Sequence, residues 1–335
     1  VGQPAIKNET AFAFESLFMA DEEGRPLLVP VIKATFEIEP SGLVRAEEQA
    51  AVNPAGESYG DPAETSYRYE PECALPKVAT DVVLVGSALA PKAGTREMLV
   101  AFQVGALKKG VRVVGDRVFV KGAVGVGMTN PVPFERIPLQ WERAFGGWDR
   151  SHSDEKKHTY EPRNPVGRGF RGGGSRFEEG VQCPNLEEPA RPFKGWGDHP
   201  PPAAFGFLSP SWQPRAGYAG TYDKNWEATR APFLPKDFDR RYFSAAPSDL
   251  VAKGFLRGDE AIVASGVAPD GGTSFKLPAV APPRVTLGHA GRPDQLVGTK
   301  LDTVIVDTDA RKVFLFWRGQ ALVKEPTAVR DIVIR

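Results

Sequence analysis

Apolar and polar positions over the first 140 residues are spaced as in strands rather than helices. Thr10–Met19 is apolar on both faces in places and runs into the polar turn Asp21-Glu22-Glu23-Gly24. Leu27–Glu39 follows, rich in β-branched residues, and its second half alternates: Ala34, Phe36 and Ile38 against Thr35, Glu37 and Glu39. Alternation of period two marks a half-buried strand, and the acidic glycine turn before it predicts a hairpin. Asp81–Ala88 is a further apolar run, too short for an ordinary helix. Val111–Val120 places two β-rich runs on either side of Gly115-Asp116, a pair suited to a two-residue primed turn, and predicts a second hairpin. Leu301–Val306 and Lys312–Trp317 repeat the pattern around Asp307–Arg311, and Phe255–Val263 and Thr273–Leu277 read as short strands. Helix signals are few; the best is Lys236–Phe243, where Pro235 suits a first turn.

Composition sharpens this picture. The chain has 35 glycines and 31 prolines among 335 residues, an excess that disfavours helices because both residues break them. The excess is concentrated: residues 161–220 hold 11 glycines and 10 prolines, and Trp141, Trp148, Trp196, Trp212 and Trp226 lie in or beside this stretch. A disordered linker buries nothing and is poor in large aromatics, so this region is expected to be ordered and packed on a β-scaffold. The expected fold is mostly β, with antiparallel sheets arranged as a sandwich or as two packed sheets, short helices and one long Gly/Pro/Trp-rich loop region. We expect one large domain over 1–335, with β-rich parts at 10–145 and 251–335 flanking a loop-rich, aromatic part at 146–250.

Lysine plus arginine and aspartate plus glutamate both number 42, so the net charge is zero. That removes the electrostatic footprint of a general nucleic-acid binder or of a protein drawn to anionic membranes. Val1–Thr10 lacks the basic start and apolar core of a secretory leader, and no run approaches the roughly 18 apolar residues that span a bilayer. The expectation is a soluble cytoplasmic protein with no membrane insertion, in which Cys73 and Cys183 are thiols.

Candidate chemistry is sparse. Gly167-Arg168-Gly169-Phe170-Arg171-Gly172 matches G-x-G-x-x-G, but Pro165 precedes it and Gly173-Gly174 follows where a phosphate-binding helix would run, so no dinucleotide is expected. Arg163, Arg168, Arg171 and Arg176 in the same loop have three readings. They tie the loop to its own carbonyls and carboxylates, they meet an acidic protein partner, or, on the weak evidence of one Arg-Gly-Gly, they meet nucleic acid. His152, His158, His199 and His289 lack zinc spacing. Cys183 with His199 and Asp198 is the best arrangement for nucleophilic catalysis, and spacing alone does not assemble it.

A series of segments, in order, resembles one family. They include Val31–Phe36, Ser66-Tyr67-Arg68-Tyr69-Glu70, Thr80–Gly86, Val114–Arg117 and Pro138-Leu139-Gln140-Trp141-Glu142-Arg143-Ala144-Phe145-Gly146-Gly147. Then come Glu161–Phe170 (EPRNPVGRGF), Pro184–Glu187, Ala219–Asp223, Leu234–Asp239, Ser244–Pro247 and Leu256–Glu260. WERAFGG and RNPVGRGF are the most specific. The chain resembles, over about residues 10–318, the bacterial domain-of-unknown-function family associated with type VI secretion, whose members act as effector adaptors or chaperones. The resemblance implies a non-enzymatic, cytoplasmic protein of a Gram-negative bacterium. It would bind a toxic effector or its PAAR spike-tip domain and promote loading onto the VgrG spike, with no cofactor, metal or catalytic residue.

The positions it marks for structure or partner contact, with the neighbouring tryptophans, are Trp141, Glu142, Arg143, Phe145, Trp148, Arg163, Asn164, Arg168, Phe170, Arg171, Trp196, Trp212 and Trp226. Trp and Arg dominate binding hot spots. The structural alternative makes Trp141, Phe145 and Trp148 core, has Gly146 and Gly147 turn with positive φ, and has Arg143, Arg163 and Arg168 tie loops to carboxylates. Two other classes stand beside the adaptor: a hydrolase or lyase with its site in the 161–220 loops, and a carbohydrate-binding β-sandwich that stacks sugars on tryptophans.

Overall fold

A computed structural model describes residues 4–324 and 326–335. The fold is mostly β, and its three larger sheets all draw on both halves of the chain. The largest runs Ala13–Ala20, Pro26–Glu39, Lys312–Arg318, Lys300–Asp307, Asp81–Val85, with Gly42–Arg45 and Ala321–Leu322 also pairing with Pro26–Glu39. Its pairs are antiparallel except the last, where Asp81–Val85 lies parallel to Lys300–Asp307. A five-stranded antiparallel sheet runs Leu186–Glu187, Leu107–Val114, Glu97–Val104, Ala261–Ser265, Gly272–Lys276. The third holds Ala5–Asn8, Val329–Ile334, Val285–His289 and Arg292–Val297. One hydrophobic core takes residues from all three, including Leu28, Ile32, Val83, Phe102, Leu287, Phe316 and Ile332.

The first predicted hairpin forms, with Ala20 opposite Pro26 and Gly24 at φ +75° in the turn. The strand it leads into, Pro26–Glu39, is central to its sheet and buried on both faces from Leu27 to Phe36. The C-terminal hairpin forms as well. Asp81–Ala88 is split into two strands at Gly86, φ +154°, where Thr308 leaves no room for a side chain.

The hairpin expected at Gly115-Asp116 does not form. Val111–Val114 ends a strand that pairs with Glu97–Val104 through the Gly105-Ala106 turn, while Phe119–Lys121 pairs with Val126–Met128 in a separate ribbon. Gly115 is not a turn residue: its N–H donates to Arg96, and the Val132 carbonyl occupies the place of a Cβ. Close approach of another backbone, not a left-handed conformation, requires glycine there. Lys236–Phe243 holds only the 3₁₀ turn Arg240–Phe243, and Phe255–Glu260 precedes a strand confined to Ala261–Ser265. The short α-helix is Lys224–Thr229, capped by the Asp223 side chain on the Trp226 N–H, a signal the sequence reading missed. No helix among the described residues is long and apolar enough to cross a membrane.

Buried ion pairs fasten the loop region to the sheets. Lys77 Nζ lies 2.5 Å from Glu70 and 2.6 Å from Asp81, and Asp81 Oδ2 also accepts the Ala245 N–H at 2.7 Å. Arg215 Nη2 stands 3.6 Å from Glu70. Alongside, Lys33 pairs with Glu72 at 2.6 Å and Arg318 with Asp302 at 2.5 Å. Burial would raise the Glu70 carboxyl, and the Lys77 and Arg215 cations hold it below the usual carboxylate range.

Candidate partner-binding site

The two most specific sequence blocks fold into one knot. Trp141–Arg143 is a 3₁₀ turn, after which Phe145–Gly146 pairs in parallel with Arg168–Gly169. Arg168 donates its N–H to Ala144, and Phe170 to Gly146, both at 3.0 Å. Asn164, fully buried, closes the loop: its Nδ2 donates to the Trp141 carbonyl at 2.8 Å and the Phe145 carbonyl at 2.9 Å, and its own carbonyl accepts the Gly147 N–H. Gly146 and Gly147 sit at φ +150° and +94°, with Asn164 and the Gly167 carbonyl where a side chain would begin. The positive φ expected at both glycines is present, and the close packing adds a second reason for them.

Most of the arginines are spent inside the molecule. Arg163 forks Glu161, two bonds of 2.7 Å, and donates to the Pro200 carbonyl. Arg168 donates Nε to the Glu142 carbonyl at 2.8 Å and Nη1 to Gln182, and burial next to Arg143 brings its pKa down to about 10. Arg143 reaches Asn185 Oδ1 at 3.3 Å and Asp116 at 3.4 Å. The Glu142 carboxylate accepts the Ser66 N–H and hydroxyl at 2.6 and 2.9 Å, joining this block to Ser66–Glu70.

The aromatics divide likewise. Trp141 is buried edge-on to Trp212, centroids 6.0 Å apart. Phe145, Phe170 and Cys183 form a smaller core with Phe119 and Phe193, against which half-buried Trp196 packs. Trp226 is half-buried on the Lys224–Thr229 helix, its Nε1 donating to the Phe233 carbonyl. Trp148, expected in the core by the structural alternative, is instead 44% exposed. It stacks on Tyr160, also 44% exposed, with centroids 4.4 Å apart and planes 26° from parallel. The two rings are cross-strand partners in the short ribbon Trp148–Asp149 and Thr159–Tyr160.

Cys183, Asp198 and His199 do not assemble into a relay. Asp198 binds the Arg191 guanidinium and the Lys194 N–H, and His199 Nε2 donates to the Arg171 carbonyl at 2.8 Å. Burial pushes the Cys183 thiol up to about 11, away from the thiolate a nucleophile needs. Cys73 and Cys183 are both free.

Beside the knot lies an open groove of about 690 Å³. Gly147–Trp148, Pro165–Gly167 and Arg171 form one side, Ala63–Thr65 and Ser209–Trp212 others. Of the sequence candidates, Trp148, Arg171 and Trp212 line it; Trp226, on its helix, does not. Arg150, Glu64 and Ser209 also line it and were not legible as site residues, because they sit in polar stretches of no special pattern. Asp149, beneath the rim, accepts from the Ser151 and Gly172 N–H groups, each at 3.0 Å, and from the Ser175 hydroxyl. Burial alone would raise this carboxyl; the three donors hold it down at about 2.

A family model described as "Uncharacterized protein conserved in bacteria (DUF2169)" matches residues 23–318. No curated protein and no solved structure matches the chain.

Proposed function

We propose that this chain, which belongs to the DUF2169 family of proteins conserved in bacteria, is a non-enzymatic adaptor or chaperone of type VI secretion. It binds a toxic effector or its PAAR spike-tip domain in the cytoplasm and promotes loading onto the VgrG spike. The observation that carries the reading is the groove beside the WERAFGG and RNPVGRGF blocks. Those blocks are fastened by buried hydrogen bonds into a rigid frame, and beside it Trp148, stacked on Tyr160, and Arg150 stand at the surface. Rigid aromatic and arginine groups around a recess are what a protein partner anchors on.

The direct test is co-expression of the tagged chain with the effector and spike proteins encoded beside it, followed by affinity purification. The expected result is co-purification of the effector or PAAR protein, and loss of effector from isolated spikes when the chain is omitted. Elution of the chain alone, with effector soluble and loaded without it, overturns the reading. The exposed Trp148–Tyr160 stack also supports a second reading, a carbohydrate-binding surface, because sugars stack on such rings; a glycan array that stays silent removes it.

A further inference from the structure

Ala13–Ala20 is the outer strand of the largest sheet, and Pro26–Glu39 is its only strand partner among the described residues. Ser16 stands opposite Pro30, which has no N–H and whose carbonyl accepts the Gly319 N–H on the far side. Ala20 stands opposite Pro26, whose carbonyl likewise accepts the Val323 N–H. The backbone groups of Ser16 and Ala20 therefore point away from the sheet, and by the alternation of an antiparallel ladder so do those of Phe14 and Phe18. These outward groups have no backbone partner among the described residues; only the Ser16 N–H is capped, at 2.9 Å, by the exposed carboxylate of its neighbour Glu15. None of the eight residues is buried, and all but Glu15 and Ser16 are apolar. The other edges of the three larger sheets are closed in the ways single chains use to avoid pairing with their own copies. Asp81–Val85 is covered by Val251 and Ala252. Ala5–Asn8 is short and carries Lys7, Arg292–Val297 carries Arg292, Pro293 and Asp294, Gly272–Lys276 ends on Lys276, and Leu186–Glu187 has two residues. Ala13–Ala20 has no proline, no lysine and no bulge.

We propose that two copies of this chain pair through Ala13–Ala20, antiparallel about a two-fold axis at Ser16, so that the largest sheet runs on from one copy into the next. A row of outward backbone donors and acceptors is matched by an extended polypeptide, and the strand's own sequence argues for a copy of itself. In antiparallel pairing, each residue with outward groups faces another such residue. With the axis at Ser16, Phe14 meets Phe18 of the second copy, and the reverse pair forms on the other side of the axis. Glu15, the strand's one charge, then faces Leu17 of the second copy and not its own equivalent, so no like charges stand opposite each other. The exposed Glu15 carboxylate gives up the Ser16 N–H to the Ser16 carbonyl of the second copy. A two-fold contact uses the same edge on both copies, so the assembly closes as a dimer and does not grow into a filament. The pairing goes beyond the adaptor reading and does not depend on it.

Light scattering on the full chain across a concentration series tests this. Wild type is expected to pass from the mass of one chain to twice that mass as concentration rises. Ser16→Pro removes an outward N–H and leaves the bonds to Pro26–Glu39 in place, and Phe18→Lys supplies the kind of charge that guards the other edges. Each should raise the dimer dissociation constant at least about tenfold. Leu296→Lys, at a 67% exposed position on the guarded strand Arg292–Val297, should leave it unchanged. Amide hydrogen exchange locates the contact: the Phe14 and Phe18 N–H groups should be protected in the dimer and exchange freely in the dilute chain. Thermal melting verifies folding; should Ser16→Pro unfold, Phe18→Lys carries the test. The proposal is overturned by a single-chain mass at every concentration, by a dimer that the folded variants leave intact, or by a dimer whose Phe14 and Phe18 amides exchange freely. It is also overturned if wild type stays single while Ser16→Pro loses a co-purifying effector, since the edge then holds a strand of that partner. None of these outcomes bears on whether wild type retains an effector, which decides the adaptor reading.

Discussion

Asn164 shows what a single side chain holds in this loop region. Its amide donates to two carbonyls on the opposite block: that of Phe145, and that of Trp141, which also accepts the Ala144 N–H. Asn164→Ala is expected to cost about 1–3 kcal/mol, since the buried Phe145 carbonyl loses its partner and carries the desolvation penalty; urea unfolding measures it, and a loss under about 0.5 kcal/mol would mean that the knot does not depend on this amide. Asp149 gives a pH signature. Its folded pKa, about 2, lies below the ordinary carboxylate value, so its contribution to stability is present in full above roughly pH 4 and is lost as pH falls toward 2. The melting temperatures of wild type and Asp149→Asn are therefore expected to differ at neutral pH and to converge at pH 2, and curves that stay parallel would sink the assignment. At this scale the sequence was legible in part. Asparagine and glycine in RNPVGRGF and WERAFGG announced special backbone, but which arginine finds a local carboxylate depends on its neighbours in space. Arg163 has Glu161 two residues away; Arg171 lies beside Asp149, which no local spacing announces.

Elements were readable where their reasons are local. The turn at Asp21–Gly24 and the C-terminal hairpin follow from acidic and glycine residues between alternating runs, and both formed. Gly115-Asp116 has the same local signature and made no hairpin, because the two strands gain more by pairing in different places and Val132 crosses over Gly115. Strand Asp81–Val85 owes its position to more than backbone pairing. Lys77 neutralises Asp81 and Glu70 together inside the protein. Lys77→Met is expected to destabilise by about 3–5 kcal/mol, because it strands the buried Asp81 carboxylate and leaves Glu70 with Arg215 alone. Chemical denaturation reads the loss, and raising Glu70 and Asp81 to their neutral forms by a Glu70→Gln, Asp81→Asn background should recover part of it; a single variant as stable as wild type would contradict the ion network.

The whole molecule is built by strands that return from far along the chain. Pro26–Glu39 is flanked by Lys312–Arg318, and Glu97–Val104 by Ala261–Ser265, so the two larger sheets each need both β-rich parts. A fragment spanning residues 10–145 is therefore expected to lack a cooperative unfolding transition by circular dichroism, since its central strands would expose edges and core faces to water. A sharp transition in that fragment would mean that the N-terminal part is an independent unit. The loop-rich part is likewise no linker: it supplies Phe205, Phe207, Ala245 and Leu250 to the main core.

The sequence by itself determined that the chain is β-rich, where two of its hairpins turn, and that the Gly/Pro/Trp-rich stretch is packed rather than loose, because alternation, turn chemistry and the need to bury large aromatics act over a few residues. The blocks that mark the family were also there to be read. Only the tertiary structure decided which strands pair, that WERAFGG and RNPVGRGF lock to each other, that Trp148 faces outward, and that Arg171 is buried beside Asp149 at the edge of a groove. Those outcomes depend on contacts between residues tens to hundreds of positions apart, and the energy of a buried charge or an unpaired donor is set by what surrounds it in space.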